Sequence, residues 1–213
     1  YQALEDQKQR LISTLKSGDR LLFVKAQNDL SSIATVRAAL ALGKTAGLVD
    51  AALFNKFKRS SETQTTGYSR ILCSSKSAPG PGIICFTSGS TGSAKGILRS
   101  VDSWENTYDL QRRTLEQERT ASVLILGNIA HSLHFYAAME ALDREVVPKI
   151  LTSFTPKKVI DACVQIRPEI LYATPSHIAL ILEQAKTYLS VPLDSVRLIL
   201  TGGAKFNERN LSP

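Results

Sequence analysis

Short runs of consecutive apolar residues alternate along the chain with longer stretches in which apolar residues recur at helical spacing. In the first 15 residues the apolar side chains recur at helical spacing and predict an amphipathic helix. An apolar run at 21–24, a helical pattern at 30–42 and a second apolar run at 45–49 follow in that order. A strand–helix–strand order predicts a mostly parallel sheet with helices packed outside it, so the expected fold class is layered α/β.

The same alternation continues through the rest of the chain. Further strands are predicted at 83–86, 123–126, 146–150, 170–172 and 196–200. Further helices are predicted at 104–116, 132–142, 156–167 and 176–188. Asp102 or Ser103 is the expected N-cap of the first of these helices. Thr155 and Pro156 are typical of the start of a helix, and Pro168 of its end.

Residues 60–82 are rich in Ser, Thr, Gly and Pro and predict a flexible connector with one short strand at 70–73. Because the alternating pattern resumes after it, we do not expect a domain boundary there. The 213 residues, 43% hydrophobic and 21% charged, fit one domain with a sizeable core.

Composition excludes several classes of protein. No apolar run approaches the roughly 18 residues of a membrane span, and the charged first 15 residues are unlike a signal peptide. The net charge of +7 is spread out without interleaved aromatic residues, so we do not expect nucleic acid as a partner. Cys73, Cys85 and Cys163 lack metal-site spacing and predict reduced thiols in a cytoplasmic protein.

The chain begins with Tyr1, and its single methionine is Met139. We therefore expect a processed product or a piece of a longer chain.

The segment most informative about chemistry follows the apolar run at 83–86. It contains five hydroxyl side chains, three glycines and one lysine: Phe86-Thr87-Ser88-Gly89-Ser90-Thr91-Gly92-Ser93-Ala94-Lys95-Gly96. Glycines allow backbone N–H groups to approach an anion, hydroxyls add donors, and a lysine adds a mobile positive charge. This composition predicts a polyphosphate-binding loop. Ala94 and Gly96 around Lys95 exclude a Walker A loop, and the spacing excludes a GxGxxG fingerprint.

These residues resemble the phosphate-loop signature of the acyl-activating superfamily of adenylate-forming, AMP-binding enzymes: an aromatic residue, then TSG[ST]TG, two variable positions and KG. Ala94 stands where that family often has proline. Further stretches resemble the large N-terminal domain of acyl-CoA synthetases and aryl-acid ligases, namely 18–43, 130–135, 173–176 and 196–204. Lys205 departs from the proline or acidic residue common there.

The resemblance implies that a carboxylic acid is activated by ATP to an acyl-adenylate and then transferred to a thiol. ATP, Mg²⁺ and either CoA or a carrier-protein phosphopantetheine would be the cofactors and acceptors. It assigns the β- and γ-phosphates to a set of loop residues: Thr87, Ser88, Gly89, Ser90, Thr91, Gly92 and Lys95. It assigns the adenine side to Gly202, Gly203 and Ala204, and the acyl pocket to His131. His131 and His134 could share a metal at i, i+3 spacing, but no third ligand is evident, so no metal site is predicted and His134 is read as structural.

The resemblance also identifies 1–213 as part of an N-terminal AMP-binding domain. The family's Thr-Glu motif, its ribose-binding aspartate and its C-terminal lid domain with a catalytic lysine do not occur in this sequence. We therefore expect this chain alone to be inactive in adenylation. Three classes remain open: part of a ligase, a nucleotide- or acyl-binding module without turnover, and a structural homologue that has lost its chemistry. Residues 130–134 carry no carboxylate to pair with an ammonium, so we expect a simple acid rather than an α-amino acid as substrate.

Overall fold

The computed structural model describes residues 1–15, 20–27, 29–57, 62–65, 70–73, 80–88, 94–116, 119–151, 153–186 and 193–205. The chain forms two compact units. The first unit comprises Tyr1–Glu116 with Ile129–Ser132, and the second comprises Gln117–Asn128 with Leu133–Pro213. None of the described helices is both long enough and apolar enough to cross a membrane.

Helices and strands alternate along most of the chain, except within 62–100, where four strands follow one another; the helix at 51–57 and the strand at 94–100 were not predicted. The helices are α1 Gln2–Leu15, α2 Leu30–Ala41, α3 Ala51–Phe57, α4 Val101–Thr114, α5 Ser132–Asp143, α6 Pro156–Ile166 and α7 Pro175–Ala185. The strands are β1 Leu21–Lys25, β2 Thr45–Val49, β3 Glu62–Thr65, β4 Arg70–Cys73, β5 Gly82–Ser88, β6 Ala94–Ser100, β7 Val123–Ile125, β8 Lys149–Ile150, β9 Ile170–Ala173 and β10 Leu198–Thr201. The predicted layered α/β class is confirmed.

The first unit contains a six-stranded mixed sheet in the order β3-β4-β1-β2-β5-β6. Strands β1, β2 and β5 run parallel, as the strand–helix–strand pattern predicts. Strands β4 and β6 add to this parallel centre in the antiparallel sense. Every residue of β2 is buried, which explains its continuous apolar sequence. The sheet thus places the end of β5 and the start of β6 side by side.

The backbone of β5 comes close to β2 at Gly47. A Cβ atom on Gly47 would lie 2.4 Å from the carbonyl oxygen of Ile84 on β5. A side chain at this position would therefore push β5 away from the centre of the sheet. Gly47 helps to fix the position of the strand that leads into the predicted phosphate loop.

Two expectations for the first unit need correction. Part of the predicted connector at 60–82 pairs as the antiparallel strands β3 and β4, although only β4 was expected; the rest of it, at 60–61, 66–69 and 74–79, lies outside the described residues. The N-cap of α4 is Ser100, whose hydroxyl accepts a hydrogen bond from the backbone N–H of Ser103. Asp102 and Ser103 were wrong because α4 begins directly after β6, three residues before the apolar period becomes visible.

The second unit contains a four-stranded, fully parallel sheet in the order β10-β9-β7-β8. Helices α5, α6 and α7 connect successive strands. Thr155 caps α6 by accepting a hydrogen bond from the N–H of Lys158, with Pro156 in the first turn, as expected. The predicted strand at 146–150 is shorter, at Lys149–Ile150. The predicted helix at 176–188 begins at Pro175 and is described to Ala185, and residues 187–188 lie outside the described range.

A buried ion pair ties α5 to the segment before β7. The side chains of Glu140 and Arg144 are both fully buried, and the Arg144 guanidinium donates two hydrogen bonds to the carboxylate, at 2.7 and 3.2 Å. The same guanidinium donates to the carbonyl oxygens of Arg119 and Ala121. The charges are thus paired, and the guanidinium satisfies two backbone carbonyls that lead into the central strand.

Candidate functional site

The predicted phosphate loop connects the two strands of a β-hairpin. Strands β5 and β6 pair antiparallel over seven positions, ending with Phe86 opposite Gly96, Thr87 opposite Lys95 and Ser88 opposite Ala94. The tip of the hairpin, residues 89–93, lies outside the described residues. The structure therefore brings the backbones of Thr87 and Ser88 beside Lys95, and Gly89, Ser90, Thr91 and Gly92 are the untested part of the prediction.

The aromatic residue at the start of the signature anchors the hairpin in the core of the first unit. The Phe86 ring lies 5.5 Å from the Phe23 ring and 5.7 Å from the Phe57 ring, measured between centroids, and Phe23 stacks on Phe57 at 4.9 Å. Gly96 leaves room for this cluster, since a Cβ atom there would lie 3.1 Å from Cε1 of Phe86. The last paired residues before the tip are thus held by aromatic packing.

Lys95 lies on the other side of the hairpin from that aromatic cluster. Side chains alternate between the faces of a strand, so Lys95 and Gly96 face opposite ways. Lys95 is exposed, as is every residue of β6. The helix that follows, α4, begins only at Val101. A helix N-terminus directly after the lysine, as in Walker A loops, is therefore not part of this arrangement.

The hairpin contains one thiol, that of Cys85, and its burial favours the protonated form. Cys85 is half-buried on β5, and burial raises the pKa of its thiol to about 12, although the positive charge of Arg99 lowers it slightly. Burial likewise raises the pKa of the Cys163 thiol on α6 to about 11. Both thiols remain protonated at neutral pH, as expected for reduced structural cysteines.

The residues predicted to lie beside adenine follow the last strand of the second unit. Gly202, Gly203 and Ala204 come directly after β10, at the carboxyl end of a parallel strand. Gly203 has a φ of +88°, a conformation that favours glycine, so the chain turns sharply there. A Cβ atom on Gly202 would lie 3.4 Å from a methyl group of Leu133, an ordinary contact. Ala204 and Lys205 are exposed.

The two histidines near α5 have different environments. His131 is exposed and precedes the first residue of α5. His134 is only 2% exposed, and its Nδ1–H donates to the backbone carbonyl of Asn128 at 3.1 Å. Among the described residues no group of three or more His, Cys, Asp or Glu side chains could hold a metal ion. His134 is thus a buried histidine, consistent with its predicted structural role.

Comparison with known proteins decides the family. The sequence model described as AMP-binding enzyme matches residues 9–211, nearly the whole chain. This chain belongs to the AMP-binding enzyme family.

Solved structures show the same fold as this AMP-binding family member. Bacillus subtilis o-succinylbenzoate CoA synthetase (MenE), bound to a product analogue, superposes with a TM-score of 0.74 at 16% identity, over 98% of this chain and 50% of that one. ATP-bound MatB from Rhodopseudomonas palustris gives a TM-score of 0.72 at 15% identity, over 97% and 50%. The chain therefore spans about half the length of these two relatives.

A curated relative matches a shorter stretch. VraA of Staphylococcus aureus, whose name assigns it provisionally to the long chain fatty acid-CoA ligases, is 32% identical over 80 residues. That stretch is 38% of this chain and 17% of VraA.

One further histidine, His177, was not singled out from the sequence of this family member. His177 lies in the first turn of α7, where its Nδ1 accepts a hydrogen bond from the N–H of Thr174 and its own N–H donates to the Thr174 hydroxyl. Its ring stacks on Phe154 at 4.1 Å and lies 6.1 Å from the ring of His134. Burial lowers its pKa, which favours the neutral imidazole that this capping interaction needs. The signal was a Thr-x-x-His capping box with His in place of the usual Glu or Gln.

Proposed function

We propose that the protein containing this chain catalyses the ATP-dependent activation of a carboxylic acid to an acyl-adenylate, followed by transfer of the acyl group to a thiol. The carboxylate attacks the α-phosphate, the bond to the bridging oxygen breaks, and pyrophosphate leaves. The thiol, of CoA or of a carrier-protein phosphopantetheine, then displaces AMP. The observation that carries the proposal is the anchored hairpin, which presents the exposed Lys95 beside the backbone of Thr87.

The hairpin suits this reaction because catalysis of an in-line displacement depends mostly on positioning and charge neutralisation. Residues 87–92 would donate backbone and hydroxyl hydrogen bonds to the β- and γ-phosphates, and Lys95 would neutralise their charge. The packing of Phe86 against Phe23 and Phe57 supports this role, since it fixes where the loop begins. A loop that moved freely would lose binding free energy to the ordering of its backbone.

Two further segments would contribute the nucleoside and acyl sides. In this proposal the backbone of Gly202, Gly203 and Ala204 lies beside adenine, and His131 lines the acyl site. The carboxyl ends of parallel strands are where ligands of open α/β sheets bind, and Gly202 follows β10 at such an end. Magnesium would accompany the phosphates of ATP. No described residue is assigned to it, since no described cluster has the required ligands.

The substrate class that we propose is a carboxylate without an α-ammonium group. Residues 130–134 carry no carboxylate that could pair with an ammonium. The first acidic residue of α5, Glu140, is fully buried and already paired with Arg144. An unpaired ammonium in a closed pocket would cost several kcal/mol.

The test is acid-dependent exchange of radioactive pyrophosphate into ATP, measured on the whole protein that contains this chain, with fatty, aryl, short-chain and amino acids. We expect exchange with at least one simple acid and none with amino acids, and a thiol-dependent release of AMP with the same acid. Exchange with an amino acid alone would contradict the substrate class. ATP binding without exchange would favour a binding module, and absence of ATP binding would favour a structural homologue.

A further inference from the structure

A cleft in the second unit lies between β8 and one face of α6. Its volume is about 240 Å³, just below the roughly 300–1,000 Å³ of sites for drug-sized ligands. Lys149 and Ser153 line it from the strand side, and Lys158 from the first turn of α6. The cleft contains none of the residues assigned above to ATP or the acyl group, and we refer to it as the β8–α6 cleft.

One end of the β8–α6 cleft is strongly basic. The ammonium group of Lys158 donates a hydrogen bond to the Ser153 hydroxyl, so both side chains converge on the same place. The acidic residue in the cleft, Asp161, is paired with Lys157 on the same helix at 3.3 Å. The charges of Lys149 and Lys158 are therefore not offset by that carboxylate. The capped N-terminus of α6 adds a partial positive charge beside them.

The floor of the cleft is apolar and extends away from the basic end. It consists of Leu151 on the strand side and Ala162 and Ile166 on α6. Ala162 belongs to the hydrophobic core of the second unit, and Leu151 and Ile166 are partly buried and pack against that core. Because a helix rises 1.5 Å per residue, the face of α6 that lines the cleft, from Lys158 to Ile166, is about 12 Å long.

We propose that the β8–α6 cleft binds a phosphate monoester that carries a short apolar arm. A phosphate monoester has a charge of about −1.5 to −2 at pH 7, which matches the two lysines better than a carboxylate of charge −1 does. Lysine is a point-charge binder of phosphate, and the Ser153 hydroxyl adds a hydrogen-bonding group. The apolar arm would cover Leu151, Ala162 and Ile166.

The experiment uses hexyl phosphate as the probe, followed by the shifts of backbone amide signals in a nitrogen-15 NMR titration of the chain. The titration is done in the Lys95→Ala background, so that the hairpin contributes little to phosphate binding. We expect the largest shifts at 149–166. Hexyl phosphate should bind several-fold more tightly than inorganic phosphate, which lacks the arm, and than hexanoate, which lacks the second charge.

The decisive variant is Lys149→Gln with Lys158→Gln, both at exposed positions where the change should not disturb folding. It should weaken the binding of hexyl phosphate at least tenfold, about what the loss of one charge-assisted hydrogen bond produces. The matched control is Lys186→Gln, the same change at an exposed residue of this unit outside the cleft. Equal affinity in the double variant and in the control would overturn the proposal. Hexanoate binding as tightly as hexyl phosphate would overturn the phosphate assignment, and neither result bears on acid-dependent pyrophosphate exchange.

Discussion

Gly96 lies opposite Phe86 across the β5–β6 pair, and a Cβ atom on Gly96 would come within 3.1 Å of Cε1 of the phenylalanine ring and 3.3 Å of a methyl carbon of Ile84. Contacts this short require a neighbouring group to move. The Phe86 ring has little freedom to do so, because it packs against Phe23 and Phe57.

We therefore expect Gly96→Val to lower the free energy of unfolding by about 1–3 kcal/mol, the usual cost of overpacking. Urea unfolding followed by fluorescence measures the change. Gly80→Val is the control, since a Cβ atom at Gly80 meets nothing within 4 Å. If both variants were equally stable, the hairpin would not depend on the fit of Phe86 against Gly96.

Lys95→Ala should weaken ATP binding without changing stability, because Lys95 is exposed on β6. A hydrogen bond to a charged group contributes about 1.5–3 kcal/mol, which corresponds to a loss of about ten- to a hundredfold in affinity. Calorimetric titration of the protein with ATP gives the value. Lys56→Ala, at an exposed lysine on α3, is the matched control and should bind as the wild type does. An unchanged affinity in Lys95→Ala would remove this lysine from the site.

Arg144→Met should destabilise the second unit strongly, because it leaves the carboxylate of Glu140 buried without its partner. Breaking a buried ion pair in this way costs about 3–5 kcal/mol. The double variant Glu140→Leu with Arg144→Met should lose less than the single one, since no uncompensated charge then remains. Denaturant midpoints of the two variants test this order. A double variant that is less stable than Arg144→Met would mean that the unpaired carboxylate of Glu140 is not what destabilises the single variant.

The carboxylate of Glu5 on α1 should make the first unit sensitive to acid. Burial alone would raise its pKa, but hydrogen bonds and charge from Lys8 and Arg37 outweigh that effect, so its pKa lies below the ordinary 4.5. A depressed pKa stabilises the folded state above the pKa of the unfolded chain, and this stabilisation is lost as the pH falls through the folded value.

The expected result is that wild type is more stable than Glu5→Gln at neutral pH, and that the difference shrinks as the pH falls below 4.5 and disappears once the pH is under the lowered pKa of the folded state. Thermal unfolding across that pH range measures it. Asp6→Gln is a suitable control, because Asp6 is exposed on the same helix turn. A difference that persisted unchanged at acid pH would show that the charge of Glu5 is not responsible.

Helices and strands were predicted well from the sequence where their burial produces a clear pattern of apolar residues. Strand β2, buried throughout, and helix α6, with its Thr155 cap and Pro156, were both predicted close to their true bounds. Strand β3 was missed because its residues, Glu-Thr-Gln-Thr, show no apolar alternation and the strand is recognised through its backbone pairing with β4. The division into two units was also not expected, because no shift in composition occurs near Glu116.

Only the part of the candidate site that is encoded by consecutive residues could be predicted from the sequence. The signature from Phe86 to Gly96 identified a loop but not strand β6, which pairs with β5 to form the hairpin, and the structure adds why the aromatic residue and the final glycine belong there. The stacking of His134 on His177 could not be read from the sequence, because it joins residues more than 40 positions apart. Stacking between rings on distant elements leaves no recognisable pattern among neighbouring residues of the sequence.

The pairing of Thr87 with Lys95 also sets a rule for how the length of this region can vary. Residues added within 89–93 leave the paired strands in register, so such insertions keep the lysine on its face. One residue added between Phe86 and Thr87, or between Lys95 and Gly96, would shift one strand by a single position and move its side chains to the opposite face. The paired strands should therefore exclude length changes because of their register, whereas residues 89–93 are constrained by the phosphate contacts proposed for them and not by register.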